Sequence, residues 1–109
     1  MPQFMVRFAY SAESWQAMMK KPEDRTAALE ALAKQVGGRL VALYYHFGKF
    51  DGTVILEAPD YTSVNAVVMA VQAAGGVQAT ETTRLFSPAD VVDALSRGAK
   101  IMYQPPGKK

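Results

Sequence analysis

The 109-residue chain contains no cysteine, which excludes disulfides, thiolate catalysis and thiolate metal sites. It has one histidine, His46, so no multi-histidine metal cluster can form within one chain. No apolar run approaches the roughly 18 residues of a membrane span. Met1 to Tyr10 lacks the basic start and long apolar stretch of a signal peptide, so the expectation is a cytoplasmic protein with no membrane partner. Neither charge sign dominates. Twelve Lys and Arg face ten Asp and Glu, and two of the lysines, Lys108 and Lys109, end the chain. The body is therefore neutral, and the basic pI of 9.0 belongs to the tail. Basic residues are dispersed, so no nucleic-acid partner is expected. There is no glycine-rich phosphate loop, because Gly37-Gly38 and Gly75-Gly76 read as helix stops. No cofactor and no metal are expected.

Half of the residues are hydrophobic and a fifth are charged, the balance of one domain with its own core. From Gln3 to Tyr10 the pattern alternates, with Phe4, Val6, Phe8 and Tyr10 on one side: a strand with one apolar face. Ser11 is placed to cap a short helix, Pro22 breaks it, and a longer helix is expected from about Pro22 to Val36. A second strand spans Arg39 to Phe47 and a third Thr53 to Ala58, joined as a hairpin through Gly48 to Gly52. Asp60 caps the next helix, whose stripe is Val64, Val67, Val68 and Val71. Val77 to Phe86 is a fourth strand, and Ser87-Pro88-Ala89-Asp90 starts a last helix that Gly98 ends. Residues 1–103 then form one domain and 104–109 a flexible tail.

This order is β-α-β-β-α-β plus a terminal helix: an α+β, ferredoxin-like subunit with both main helices on one face of an antiparallel sheet. The other face would carry Met5, Arg7, Ala9, Thr53, Ile55 and Glu57. From the fourth strand it gains either Glu81, Thr83 and Leu85 or Thr80, Thr82, Arg84 and Phe86. That mixture is too apolar for water and too charged for a plain core. A second copy packed sheet to sheet, enclosing a partly polar space, resolves it.

The stretch from Tyr44 to Asp60, with its Gly48…Asp51…Glu57-Ala58-Pro59-Asp60 spacing, resembles the signature of the GYD-domain family of small bacterial and archaeal proteins. Val77 to Phe86 is similar to that family's last strand, and the likeness covers roughly residues 2 to 90. Phe50 stands where the family usually has tyrosine, so an aromatic packing role carries over there and a hydroxyl does not. The resemblance implies a ferredoxin-like subunit and a dimeric α+β barrel, and no particular activity. Related barrels include cofactor-free monooxygenases, haem-degrading enzymes and ligand-sensing modules, and fold does not carry function.

Among candidate site residues, His46 titrates nearest neutrality and is the best candidate for a catalytic role, as general base or haem ligand. An exposed or hydrogen-bonded strand-end histidine is the plainer reading and outweighs it. Arg7 and Glu57 share a face of neighbouring strands and would pair across them, with Arg84 joining if the fourth strand takes that register. Such an Arg-Glu-Arg set, with Tyr45 in the aromatic wall, would bind a small acidic or aromatic ligand. A brace for the sheet or interface is the competing use. Gly48, Phe50 and Asp51 make the structural motif of the hairpin, Asp51 bonding nearby backbone N–H groups. The best-supported function is a homo-oligomeric small-molecule-binding or regulatory module. The alternatives are a cofactor-free monooxygenase-like enzyme and a purely structural interaction protein.

Overall fold

The computed structural model describes residues 1–107; Lys108 and Lys109, the end of the expected tail, lie outside the described residues. Eight elements follow one another: β1 (Gln3–Tyr10), α1 (Ala12–Lys20), α2 (Thr26–Lys34), β2 (Arg39–Tyr45), β3 (Gly52–Glu57), α3 (Tyr61–Ala73), β4 (Val77–Leu85) and α4 (Pro88–Gly98). The strands form one sheet in the order β2-β3-β1-β4, every neighbouring pair antiparallel. This is the ferredoxin-like α+β arrangement that the element order dictates.

Local chemistry fixes most element ends. The Ser11 hydroxyl accepts from the Ser14 N–H at 3.1 Å and starts α1. The Asp60 carboxylate accepts from the Ser63 N–H at 2.8 Å and starts α3. At α4, Ser87 and Asp90 complete a reciprocal capping box. Several boundaries differ from the sequence reading by one to four residues, and two of them have a clear local cause. Helix α2 starts at Thr26 rather than near Pro22, because the Asp24 carboxylate takes the Thr26 N–H at 2.9 Å and holds the preceding residues as a link. Strand β2 stops at Tyr45 rather than Phe47. There the N–H groups of His46 and Phe47 both turn onto the Asp51 carbonyl, and Phe47 takes a positive φ of 49°.

The core lies where β1 and β3 meet the helices. Phe4, Val6, Phe8 and Tyr10 of β1, Val54 and Leu56 of β3, Ala58 just after it, and Val64 of α3 are buried together. Close approach is needed at the end of β3. A Cβ on Gly38 would stand 2.0 Å from the Glu57 carbonyl oxygen, so only glycine lets the chain enter β2 there. Helix α4 has no buried residue, and Val91, Val92, Leu95, Ile101, Met102 and Tyr103 are all exposed. It projects from the body and stretches the molecule to 64 × 32 × 23 Å. No helix among the described residues is long and apolar enough to cross a membrane.

Candidate functional site

The hairpin between β2 and β3 is built around Asp51. Its N–H donates to the Phe8 carbonyl at 2.8 Å, and its carboxylate accepts from the Tyr10 N–H at 2.8 Å. Strand β3 pairs with β1 only as far as Gly52 opposite Phe8. Asp51 therefore extends the ladder by one residue, first with its backbone and then with its side chain. Phe50 folds onto the sheet face away from the helices and is buried there, under the Arg7 guanidinium 5.5 Å from its ring centre. A buried apolar ring with a cation over it needs no hydroxyl. The tight position of the motif is Gly52, where a Cβ would stand 2.6 Å from the Phe8 ring. Gly48 has open space around its Cα and leaves the left-handed turn to Phe47.

The register of β4 decides what the Arg-Glu-Arg set becomes. Arg7 lies opposite Glu81, so Glu81, Thr83 and Leu85 share the open face, and Arg84, opposite Phe4, points the other way. Arg7 and Glu81 form an ion pair. The expected Arg7–Glu57 pair is not made, because Arg7 stands opposite Thr53 and Glu57 opposite Gln3, four residues along the same strand. Glu57 instead accepts from Arg39 Nε at 2.7 Å and from the Gln3 amide at 3.4 Å. The Arg39 guanidinium, then the Gln3 amide, hold its carboxyl below the ordinary carboxylate range. Arg84 lies over Phe86, 4.7 Å from the ring centre. Three of the four expected ligand residues thus belong to three separate contacts. The open face is striped by two balanced pairs, Arg7–Glu81 and Arg39–Glu57, with Met5, Ala42 and Ile55 half-exposed between them. Arg7 Nε is enclosed there without an acceptor.

The fourth, Tyr45, sits on the helix side. Its hydroxyl is 2.9 Å from that of Tyr10, within a chain of rings formed by Phe8, Tyr10, Trp15, Tyr45 and Phe47. Burial and then the Tyr45 hydroxyl push the Tyr10 phenol well above its ordinary range, so it stays protonated. His46 is exposed, with Nε2 2.7 Å from the Thr53 hydroxyl. Among the described residues no three His, Asp or Glu side chains gather to hold a metal ion.

Next to this ring cluster lies a space that sequence reasoning missed. Helices α1 and α2 stand apart from α3, and a groove of about 480 Å³ opens over the sheet between them. Its walls include Val6, Phe8, Leu29, Leu32, Val68 and Val71, and Tyr10, Ser14, Glu23 and Arg25 supply polar groups to its lining. One signal could have found it. Ala17, Ala28, Ala33, Ala70 and Ala74 also line the groove, and side chains so short cannot fill the gap between two helices.

A family model described as GYD domain matches residues 4–95. A relative from Thermus thermophilus, named glutamine synthetase and cystathionine beta-lyase binding protein, is 27% identical over 95 residues. That alignment covers 87% of this chain and 99% of the relative. Among solved structures, TTHA0845 from Thermus thermophilus matches with a TM-score of 0.51 at 19% identity, covering 80% of this chain and 95% of that one. The Neisseria meningitidis transcriptional regulator NMB0573, solved as its L-Met complex, matches with a TM-score of 0.50 at 14% identity. The match covers 80% of this chain and 51% of the regulator, so this chain spans about half of that protein. Both structural likenesses establish the fold alone.

Proposed function

This chain belongs to the GYD-domain family, and on that premise we propose that it is a homo-oligomeric binding module of a regulatory kind, able to take up a small molecule. The observation that carries the reading is the open face of the sheet. Met5, Ala42 and Ile55 are still partly exposed there, and the two ion pairs beside them are each charge-balanced. Apolar area of this kind gains about 25 cal/mol for each Å² removed from water. A balanced pair is also cheaper to enclose than a lone charge. A second copy laid on this face covers the apolar residues. Residues 1–103 are the working unit in this reading, and the cytoplasm is its setting.

The Thermus relative is named for binding two enzymes. Carried to this chain, that name supports regulation through protein contact, the oligomer presenting its outer surfaces to a metabolic enzyme. His46, exposed and engaged with Thr53, serves the hairpin rather than a reaction.

Sedimentation equilibrium at micromolar concentration tests the assembly. The expected result is a dimer or larger, with Ile55→Lys shifting it toward monomer while circular dichroism stays unchanged. A stable wild-type monomer would reject the reading.

A further inference from the structure

The groove between the helices has an apolar length and a charged, hydroxyl-bearing margin, and that asymmetry specifies a ligand. Resting on the small-molecule part of the reading above, we infer that the groove binds a small carboxylate with an apolar body, its anion held by Arg25 beside the Tyr10 hydroxyl.

Size comes first. At about 480 Å³ the groove lies within the roughly 300–1,000 Å³ typical of small-molecule pockets. Its lining is mostly Val, Leu and Ala, which give no directional contact along the body of a ligand. An alkyl or arylalkyl chain suits such walls.

Polarity comes next. Arg25 and Glu23 are the two charged residues in the lining, and they pair at 3.0 Å. They are not equivalent. The Arg25 side chain is 35% exposed and that of Glu23 52%, so the cation is the more enclosed member. A guanidinium carries five N–H donors, and one contact to Glu23 leaves others free. Arg25 also lies close enough to Tyr10 to act on its hydroxyl. The Tyr10–Tyr45 hydroxyl pair stands next to that cation. Of the two, only Tyr10 lines the groove, and its hydroxyl is already engaged with that of Tyr45. Burial keeps the Tyr10 phenol protonated, so no phenolate stands against an incoming anion. Free guanidinium donors beside a neutral phenol fit a carboxylate; an ammonium head would meet the same cation.

Trp15 is the only tryptophan of the chain, and its ring lies 5.2 Å from that of Tyr10. Its fluorescence therefore reports on this end of the groove. Octanoate, octanol and octylamine would be titrated, below their micellar concentrations, against the full chain while Trp15 emission is followed. Saturable binding of octanoate is expected, about tenfold tighter than octylamine. Arg25→Met should lower octanoate to the level of octanol, and Glu23→Gln should tighten it by removing a competing carboxylate. Val68→Phe, which narrows the groove, should weaken octanoate and octanol alike.

Equal responses to all three probes, or none, would overturn the inference. So would octanoate binding that survives Arg25→Met and Val68→Phe but is lost in Arg7→Met, which would put the ligand on the open sheet face. A response that the wild-type chain lacks and Leu95→Glu uncovers would give the groove to helix α4 of a second copy, and would also overturn it. Sedimentation of the same samples separates the two readings. A dimer with no probe response sinks the groove site and leaves the assembly; a monomer that reads the carboxylate does the reverse.

Discussion

Replacing Asp51 by alanine leaves one backbone donor of β1 without its acceptor. Tyr10 is 8% exposed, and its N–H is held by the Asp51 carboxylate at 2.8 Å. Water has little access to replace that oxygen. An enclosed donor left unpaired costs about 1–3 kcal/mol, and a bond to an ionised acceptor falls at the upper end of that range. The Asp51 N–H still reaches the Phe8 carbonyl in the variant, so the hairpin stays closed and the loss is confined to one bond. Asp51→Ala is therefore expected to lose about 2 kcal/mol, and Asp51→Asn, which keeps an acceptor oxygen, under about 1 kcal/mol. Urea unfolding followed by Trp15 emission measures both, at one fixed protomer concentration because assembly adds stability. With a slope of about 1–2 kcal/mol per molar, the alanine midpoint should fall by about 1–2 M. An unchanged midpoint in Asp51→Ala would mean that solvent satisfies Tyr10. An asparagine variant as weak as the alanine one would mean that charge, not the hydrogen bond, holds the turn.

The two helix stripes give a second test by the same unfolding assay. Leu32→Ala should cost about 1–2 kcal/mol, less than a fully enclosed leucine because one side of Leu32 already faces the groove, and Val68→Ala about 1 kcal/mol. Values near zero for both would mean that the helices do not depend on these walls. Acid lability should trace in part to Glu57, whose carboxyl is held low by Arg39 and then Gln3. Its contribution is complete above its ordinary value near pH 4.5 and is lost as the pH falls through the lower folded value. Glu57→Gln should therefore be less stable than wild type near neutrality, and the gap should close in acid; a gap constant with pH would refute this. Finally, removing residues 99–109 deletes the exposed Ile101, Met102 and Tyr103. A weaker oligomer is expected in sedimentation equilibrium, and an unchanged one would leave the segment without a role in assembly.

Strands and caps were legible in the sequence because their signals are local. Alternation from Phe4 to Tyr10 gives the buried face of β1 directly, and Ser11, Asp60 and Ser87 cap the helices that they precede. Side-chain partners across the sheet were not legible, because a shift of one residue in β4 would replace Glu81 opposite Arg7 by a threonine and turn Arg84 onto the open face. That choice depends on pairing along the whole strand, which no short window contains. Asp51 was readable as a turn residue, but its bond to Tyr10 spans 41 positions and follows only from the sheet order. The groove was hidden for a related reason. A periodic stripe shows which side of a helix is apolar, and the distance between two helices depends on the sizes of residues on both. Arg39 went unnoticed as the partner of Glu57 because it opens a strand just after a glycine pair and looks like a solvated end.

The outstretched α4 has a practical consequence for weighing the molecule. A compact chain of 109 residues has a radius of gyration of about 13 Å, whereas this one measures 18.0 Å. A particle drawn out to 64 Å along one axis diffuses more slowly than a ball of equal mass. On a gel-filtration column calibrated with round standards, one subunit would elute early and pass for a pair. The subunit count must come from light scattering or equilibrium ultracentrifugation, where mass is read independently of drag.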